Sequence, residues 1–417
     1  MPRLERNDTL PINDSASPKV EKEGKAGKRR RPRSPIKITM PESPAENGEA
    51  TEDAAALTVR SITDSFMLKK AELGEAPVRV RGRDLERVKE IGRGRYGTVD
   101  LMRLPRTSFT MAVKVLYHPP FPPFKVSQHS SYQRIRESSE SQELKYLDRE
   151  VRACVDGADC PFLVKCFGVL RLEGDIWICM EIMDASLDRF YRTCEDTQRQ
   201  IPHFLLARIA HSMVSGLRYL AESLKLMHRD VKPSNSLINR AGQVKICDYG
   251  VSGLLETDPT SKTINAGHKA YMAPERILHQ HSAYRSYDER SDVWSLGITL
   301  YEIGTGQHPY DKWKNPFEQL KQVVYQPAPI LATHDPRFSD HFKEFVRICL
   351  QKEYDDRPRY SQLLEQPLIS HFLAKESEYE PKIRKFVSAI LDLIDETIAG
   401  LASISISRPS LLDKTLT

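Results

Sequence analysis

The sequence predicts an α+β chain of two lobes, a β-rich small lobe followed by a mainly helical large lobe. Two observations carry this expectation. From Asp84 onward, short apolar runs of strand type alternate with turn signals, whereas beyond Met183 apolar residues recur at helical spacing. Four short motifs run through both regions in a fixed order: Gly92-x-Gly94-x-x-Gly97, then Ala112-Val113-Lys114, then His228-Arg229-Asp230-Val231-Lys232-Pro233-Ser234-Asn235, then Asp248-Tyr249-Gly250.

Residues 1–84 are rich in Pro, Ser, Glu and Lys and poor in aromatics, so they read as a mostly disordered tail. Within it, the segment from Asp53 to Leu73 reads as a short helix. The first strands are expected at Val88 to Ile91, Thr98 to Leu101 and Met111 to Leu116. A polar, Pro-rich insertion follows from His118 to about Glu140 (118–140), and Ser141 to Val155 has helical character. Two further strands, Leu163 to Arg171 and Asp175 to Glu181, flank the turn signal Glu173-Gly174. The large lobe is expected to hold helices at Ile201 to Ser223, Ser291 to Thr305, Phe317 to Val324 and Phe338 to Leu350. A last amphipathic helix, Ile383 to Ile398, places Ile383, Phe386, Val387, Ile390, Leu391 and Ile394 on one face.

Composition narrows the class. The 417 residues suffice for one two-lobed enzyme with tails, and the net charge of +5 is no nucleic-acid footprint in itself. No apolar run reaches the roughly 18 residues of a membrane span, and the N-terminus MPRLERNDTLPINDS lacks a signal peptide's apolar core. Seven cysteines without metal-type pairing suggest reduced thiols, hence a cytoplasmic or nuclear location.

Gly92, Gly94 and Gly97 lie between two expected strands, where glycine lets backbone amides approach phosphate oxygens. A dinucleotide-binding turn would open into a helix, but here a strand follows. The loop Ile91-Gly92-Arg93-Gly94-Arg95-Tyr96-Gly97-Thr98-Val99 is therefore the candidate cover over nucleotide phosphates, with a plain hairpin turn as the alternative. Lys114 can hold the α- and β-phosphates as a point charge, but needs a carboxylate to position it. Glu150 is the candidate, with Asp148 and Glu143 as rivals. Asp230 is the candidate base toward a substrate hydroxyl, and Lys232 would sit near the transferred γ-phosphate. Asn235 and Asp248 offer the hard oxygen ligands that Mg²⁺ prefers. Tyr249 replaces the more usual Phe as a packing wedge whose hydroxyl needs a partner or water. Cys247 reads as a packed strand residue behind the nucleotide.

These motifs resemble those of the protein kinases, and the likeness extends to Met272-Ala273-Pro274-Glu275, Asp356-Arg357-Pro358 and Asp292-Val293-Trp294-Ser295-Leu296-Gly297. It implies a bilobal kinase domain over residues 85–372, ATP and Mg²⁺ as cofactors, and a C-terminal extension at 373–417. It further implies an ion pair between Glu275 and Arg357, with Asp292 holding the catalytic-loop backbone. Cys247 to Gly253, Ala270 to Ile277 and Trp294 to Leu300 resemble the MAP kinase kinases. Lys262 to Gly267, Trp177 to Asp184 and Pro316 to Val324 are most similar to their stress-activated subgroup. That resemblance places Met180 and Met183 at the nucleotide cleft. It implies phosphorylation of Thr and Tyr in the T-x-Y loop of a downstream MAP kinase, and activation by an upstream MAP kinase kinase kinase.

Two regions outside the catalytic motifs fit this reading. The tail segment Lys28 to Ile38 sets a basic cluster (Arg29, Arg30, Arg31) before Ile36-x-Ile38 and looks like a MAP-kinase docking motif; a nuclear-localisation or polyanion patch is the alternative. In the activation segment, Thr263 has the best-matched context for a regulatory phosphate. Four residues back lies Pro259, so Ser261, Thr257 and Thr260 remain candidates for the second site. The C-terminal helix either caps the core or docks the upstream kinase. A non-catalytic scaffold and a Ser/Thr kinase outside the cascade are the competing functions. Intact Lys114, Asp230, Asn235 and Asp248 count against the first, and the docking-like tail counts against the second.

Overall fold

The computed structural model describes residues 62–69, 72, 76–94, 97–116, 150–249, 270–278, 288–310 and 316–406. Its first strands lie in the tail. β1 (Ser65–Leu68) pairs antiparallel with β2 (Val78–Arg81), where Leu68 and Val80 are buried. At Ser65–Leu68 a strand stands in place of the helix expected from Asp53 to Leu73, and the order at 76–84 corrects the disorder expected as far as residue 84; residues 53–61 and 73 lie outside the described residues. A four-residue alternation is too short to announce a strand from the sequence alone.

The main sheet contains β3 (Glu86–Gly94), β4 (Gly97–Leu104), β5 (Phe109–Leu116), β6 (Cys166–Leu172) and β7 (Asp175–Met180), all antiparallel in the order β3-β4-β5-β7-β6. Side chains alternate between its faces. Met102, Met111, Val113, Val115, Leu170 and Cys179 cluster on one face. Leu116, Cys166, Ile176 and Ile178 meet Val151 and Cys154 of α1 (150–156) on the other. Burial on both faces explains why β5 from Met111 reads as an apolar run interrupted only by Lys114. Glu173 and Gly174 both have positive φ, 54° and 95°, as the two-residue hairpin demands. The strand expected from Leu163 begins instead at Cys166, and Leu163 makes only an isolated bridge to Ile246. Residues 117–149, including the insertion and the start of the expected helix, lie outside the described residues.

The large lobe opens with β8 (Ala185–Ser186) and α2 (Leu187–Asp196), capped by Ser186, whose side chain accepts from Arg189 N–H. The long α3 (His203–Glu222) follows. Short strands β9 (Ser236–Ile238) and β10 (Val244–Ile246) then carry the chain past the catalytic motifs. α4 (Pro274–Leu278) leads to α5 (Glu289–Thr305), which is buried almost all round and forms the lobe's centre. Around it lie α6 (Pro316–Tyr325), α7 (Asp340–Cys349), α8 (Tyr360–Leu364), α9 (Pro367–Ala374) and α10 (Glu376–Ile406).

α10 is part of the core. Ile383, Val387, Ile390, Leu391 and Ile394 are buried, and Phe386 meets Phe190 of α2 edge-on at 6.4 Å. Arg240, beyond β9, grips Asp392 and Asp395 at 2.6 Å each. Gly242 in the same turn has φ +77°, and a Cβ there would lie 2.3 Å from Ile383 Cγ2. Gly242→Ala is therefore expected to cost about 1–3 kcal/mol through strain and displacement of α10. A thermal melt checks this, and an unchanged midpoint would refute the close packing.

Candidate active site

β5 brings Lys114 to the cleft between the lobes. Its Nζ lies 2.6 Å from Glu150 Oε1 on α1 and 2.7 Å from Asp248 Oδ1. Glu150, the acid favoured in sequence, is in contact; its rivals Asp148 and Glu143 lie outside the described residues. Burial alone would depress the Lys114 ammonium, but Asp248 and Glu150 hold it well above the ordinary lysine value. The Lys114 charge in turn holds the Asp248 carboxyl below its usual range, so it is anionic at neutral pH.

The glycine loop is the end of the β3–β4 hairpin. Gly92 stands opposite Val99, Arg93 opposite Thr98 and Gly94 opposite Gly97. A Cβ on Gly97 would fall 1.7 Å from Val115 O, a close approach open only to glycine. Arg93 turns its guanidinium back onto Glu90 at 2.9 Å. Ile91 is exposed, Val99 half-buried and Thr98 buried. Arg95 and Tyr96 lie outside the described residues. Met180 pairs with Ala112 across β5 and β7. It lines a small cavity behind Lys114 with Val164, Ile178, Cys247 and Tyr249. Met183, three residues on, is half-buried at the junction of the lobes.

The catalytic loop is held from below by α5. Asp292 is fully buried and accepts from His228 N–H at 3.0 Å and Arg229 N–H at 3.1 Å. These bonds hold Arg229 in a left-handed conformation, φ 63°, that a non-glycine residue avoids without support. His228 braces the loop in a way the sequence did not announce. Asp230 N–H donates to its Nδ1 at 3.2 Å, so its Nε2 carries the proton and donates to Cys247 O at 3.1 Å. Asp230 Oδ2 accepts from Lys232 Nζ at 2.8 Å and from Asn235 Nδ2 at 2.9 Å. The backbone bond from Cys247 N–H to Asn235 O, 3.0 Å, ties the Asn235 turn to the strand leading into Asp248. Asp230, Lys232, Asn235, Asp248 and Lys114 are thus brought into one cleft.

Tyr249 is buried beside His228, ring centroids 6.5 Å apart, and its hydroxyl reaches toward Gly157 at the end of α1. It packs as the wedge the sequence suggested. Burial pushes the Cys247 thiol well above its ordinary value, with the Asp248 charge adding to the effect. Cys247 is thereby a protonated packing residue.

The scaffold pairs are in place. Arg357 binds Glu275 through two nitrogens at 2.8 and 2.6 Å. Sequence reasoning missed a second buried acid, Glu302, which accepts from Tyr191 OH at 2.8 Å and from Tyr271 OH, tying the stretch before Met272 to α5. Those partners stand 111 and 31 residues away, so no local pattern could reveal them. Thr257, Thr260, Ser261 and Thr263, and the tail residues Arg29, Arg30, Arg31, Ile36 and Ile38, lie outside the described residues.

The protein kinase domain family matches residues 85–369. The dual specificity mitogen-activated protein kinase kinase sek-1 of Caenorhabditis elegans is 41% identical over 334 residues, which is 80% of this chain and 91% of its own. Dual specificity mitogen-activated protein kinase kinase 7 of Rattus norvegicus is 38% identical over 289 residues, 69% of this chain and 63% of its own. Its Mus musculus counterpart is 38% identical over 289 residues, which cover 50% of that protein. The chain is a protein kinase and belongs to the dual-specificity mitogen-activated protein kinase kinases.

Proposed function

We propose that this kinase transfers the γ-phosphoryl group of ATP to the Thr and Tyr of a T-x-Y activation loop in a stress-activated MAP kinase. The observation that carries the catalytic part is Lys114 held between Glu150 and Asp248, at 2.6 and 2.7 Å, in the same cleft as the Asp230–Lys232–Asn235 cluster. In this reading the substrate hydroxyl oxygen bonds to the γ-phosphorus as the bond to the β–γ bridging oxygen breaks, and ADP leaves. Asp230 orients the hydroxyl and takes its proton, and Lys232 offsets charge on the transferred group. Lys114 and the glycine-loop amides hold the remaining phosphates.

Asn235 and Asp248 would hold Mg²⁺. The donor set fits: Asp248 is ionised and half-exposed to the cleft. Asn235 commits its amide nitrogen to Asp230, which fixes the amide plane with its oxygen on the opposite edge. When bound, the ion would neutralise phosphate charge. Phosphorylation at Thr263, with Ser261, Thr257 or Thr260 as the second site, would switch the enzyme on for its upstream MAP kinase kinase kinase, with Arg229 as one partner for the new charge.

Incubation with radiolabelled ATP and inactive MAP kinases tests the reading. Label on both Thr and Tyr of the T-x-Y loop is the expected result. Label on Ser or Thr elsewhere, or none, would refute it. Docking through the tail gives a separate expectation. Replacing Arg29, Arg30, Arg31, Ile36 and Ile38 by Ala should raise KM for a full-length MAP kinase roughly tenfold or more, with kinetics on a short peptide unchanged. Equal KM values for the full-length substrate would exclude docking through this segment.

A further inference from the structure

The matched family segment begins at residue 85, yet the β1–β2 strap before it belongs to the same compact unit as the catalytic core, Gly48–Thr417. The strap wraps the edge of the main sheet. β6 is that edge strand, and its Arg171 N–H donates to Thr63 O at 2.8 Å, covering an otherwise open row of backbone groups. On one face, Phe66 presses on β6 so closely that a Cβ on Gly168 would lie 2.4 Å from its ring. Leu68 and Val80 continue this contact with Leu104.

The other end of the strap turns over the edge to the opposite face. There Ile62 packs against the buried cluster in which Leu116, Cys166, Ile176 and Ile178 of the sheet meet Val151 and Cys154 of α1. Val151 and Cys154 follow Glu150 by one and four positions on the same helix. A second tether secures the strap: Glu72 pairs with Lys165 at 2.8 Å just before β6, and Lys165 N–H donates to Glu181 at 2.6 Å.

We propose that the β1–β2 strap, with Ile62 just before it, is a positioning element for phosphoryl transfer. Clipped to β6 and packed through Ile62 against the cluster that joins the helix of Glu150 to the sheet, it holds that carboxylate on Lys114. Val151 and Cys154 tie the helix to the sheet through the cluster that Ile62 extends, so this added apolar neighbour limits the helix's outward swing. The proposal rests on the reading of Lys114 and Glu150 as the phosphate-positioning pair.

A double-mutant cycle on the full-length enzyme tests it, with single-turnover phosphorylation of a short peptide as readout, so that tail docking does not enter. Ile62→Ala is expected to slow transfer about threefold to tenfold. The same change in a Glu150→Gln background is expected to add nothing, because its effect passes through Glu150. Met67→Ala, on the exposed side of β1, should leave the rate unchanged. Ile62→Val, which removes one methylene, should give a smaller loss in the same direction and serves if the alanine variant fails to fold. The strap has no positioning role if Ile62→Ala leaves the rate intact, or if it slows transfer by the same factor with and without Glu150. If Glu150→Gln itself has no effect, the reading of the pair falls, and the strap's role with it.

Discussion

Asp230→Asn is expected to lower kcat by about 10²–10⁴-fold with little change in ATP affinity. The substitution keeps the shape of the side chain and one acceptor oxygen. Oδ2 now accepts from Lys232 at 2.8 Å and Asn235 at 2.9 Å, and an amide oxygen can serve both donors. The backbone bonds that shape the loop, from His228 and Arg229 to Asp292 and from Asp230 to His228, involve no Asp230 side-chain atom. The loop should therefore persist, and two things should be lost: the proton acceptor for the substrate hydroxyl and the negative charge that orients it. Single-turnover kinetics with saturating ATP isolates the chemical step from product release. A fall smaller than tenfold would be too little for a general base, and would assign Asp230 to orientation alone.

Arg357→Met should act on stability, with a loss of about 3–5 kcal/mol. Arg357 is fully buried, and its donors are all engaged. Two reach Glu275, and the rest meet the carbonyls of Gln351, Arg290 and Lys352. Its guanidinium also lies over the Trp294 ring, 5.3 Å from the centroid. Methionine fills most of the space but leaves Glu275 as a buried charge with the Ser291 hydroxyl and its own backbone N–H to donate to it. The melting midpoint is expected to fall on the order of 10 °C. Burial by itself would raise the Glu275 pKa, but Arg357 reverses this and holds it below 4.5. A depressed carboxyl contributes stability above its unfolded pKa and loses it as the pH falls through the folded value. The wild type should thus keep this contribution at neutral pH and lose it only in acid, as the pH falls through the lowered folded value. In Arg357→Met the desolvated Glu275 should titrate upward instead, so the gap between the two proteins should narrow from pH 7 toward pH 5. Glu275→Gln in the same background should recover much of the loss. A midpoint unchanged by Arg357→Met would contradict the buried pair.

The chemistry was more legible in the sequence than the supports around it. Lys114, Asp230, Asn235 and Asp248 stand in short motifs because each needs a particular residue at a fixed place along a strand or loop, so spacing alone draws them into one cleft. Glu150 was nameable only among three acids, since a helix surface offers several carboxylates and only the tertiary contact selects one. The long helices of the large lobe were visible through their periodicity, and Ser339 marks the start of α7 as an N-cap. The strap stayed hidden for the opposite reason. Phe66 acquires meaning from Gly168, and Ile62 from Val151 and Cys154, roughly a hundred residues away in each case. Glu302 is similar: within α5 it reads as one polar residue on a helix, and only the distant Tyr191 makes it an anchor.

The C-terminal helix also redraws the practical boundary of the enzyme. The family's footprint stops at residue 369, but Ile383, Val387, Ile390, Leu391 and Ile394 are as deeply buried as the centre of the lobe. Each such side chain is worth roughly 1.5–3 kcal/mol when withdrawn from water. A chain trimmed to the footprint would present the matching faces of α2 and α3 to solvent as a sticky, apolar trough, while one ending after Asp395 would keep both the stripe and the Arg240 clasp. For anyone preparing the catalytic domain by itself, the gene should be cut by where the oil ends, some twenty-five residues downstream of where the family likeness does.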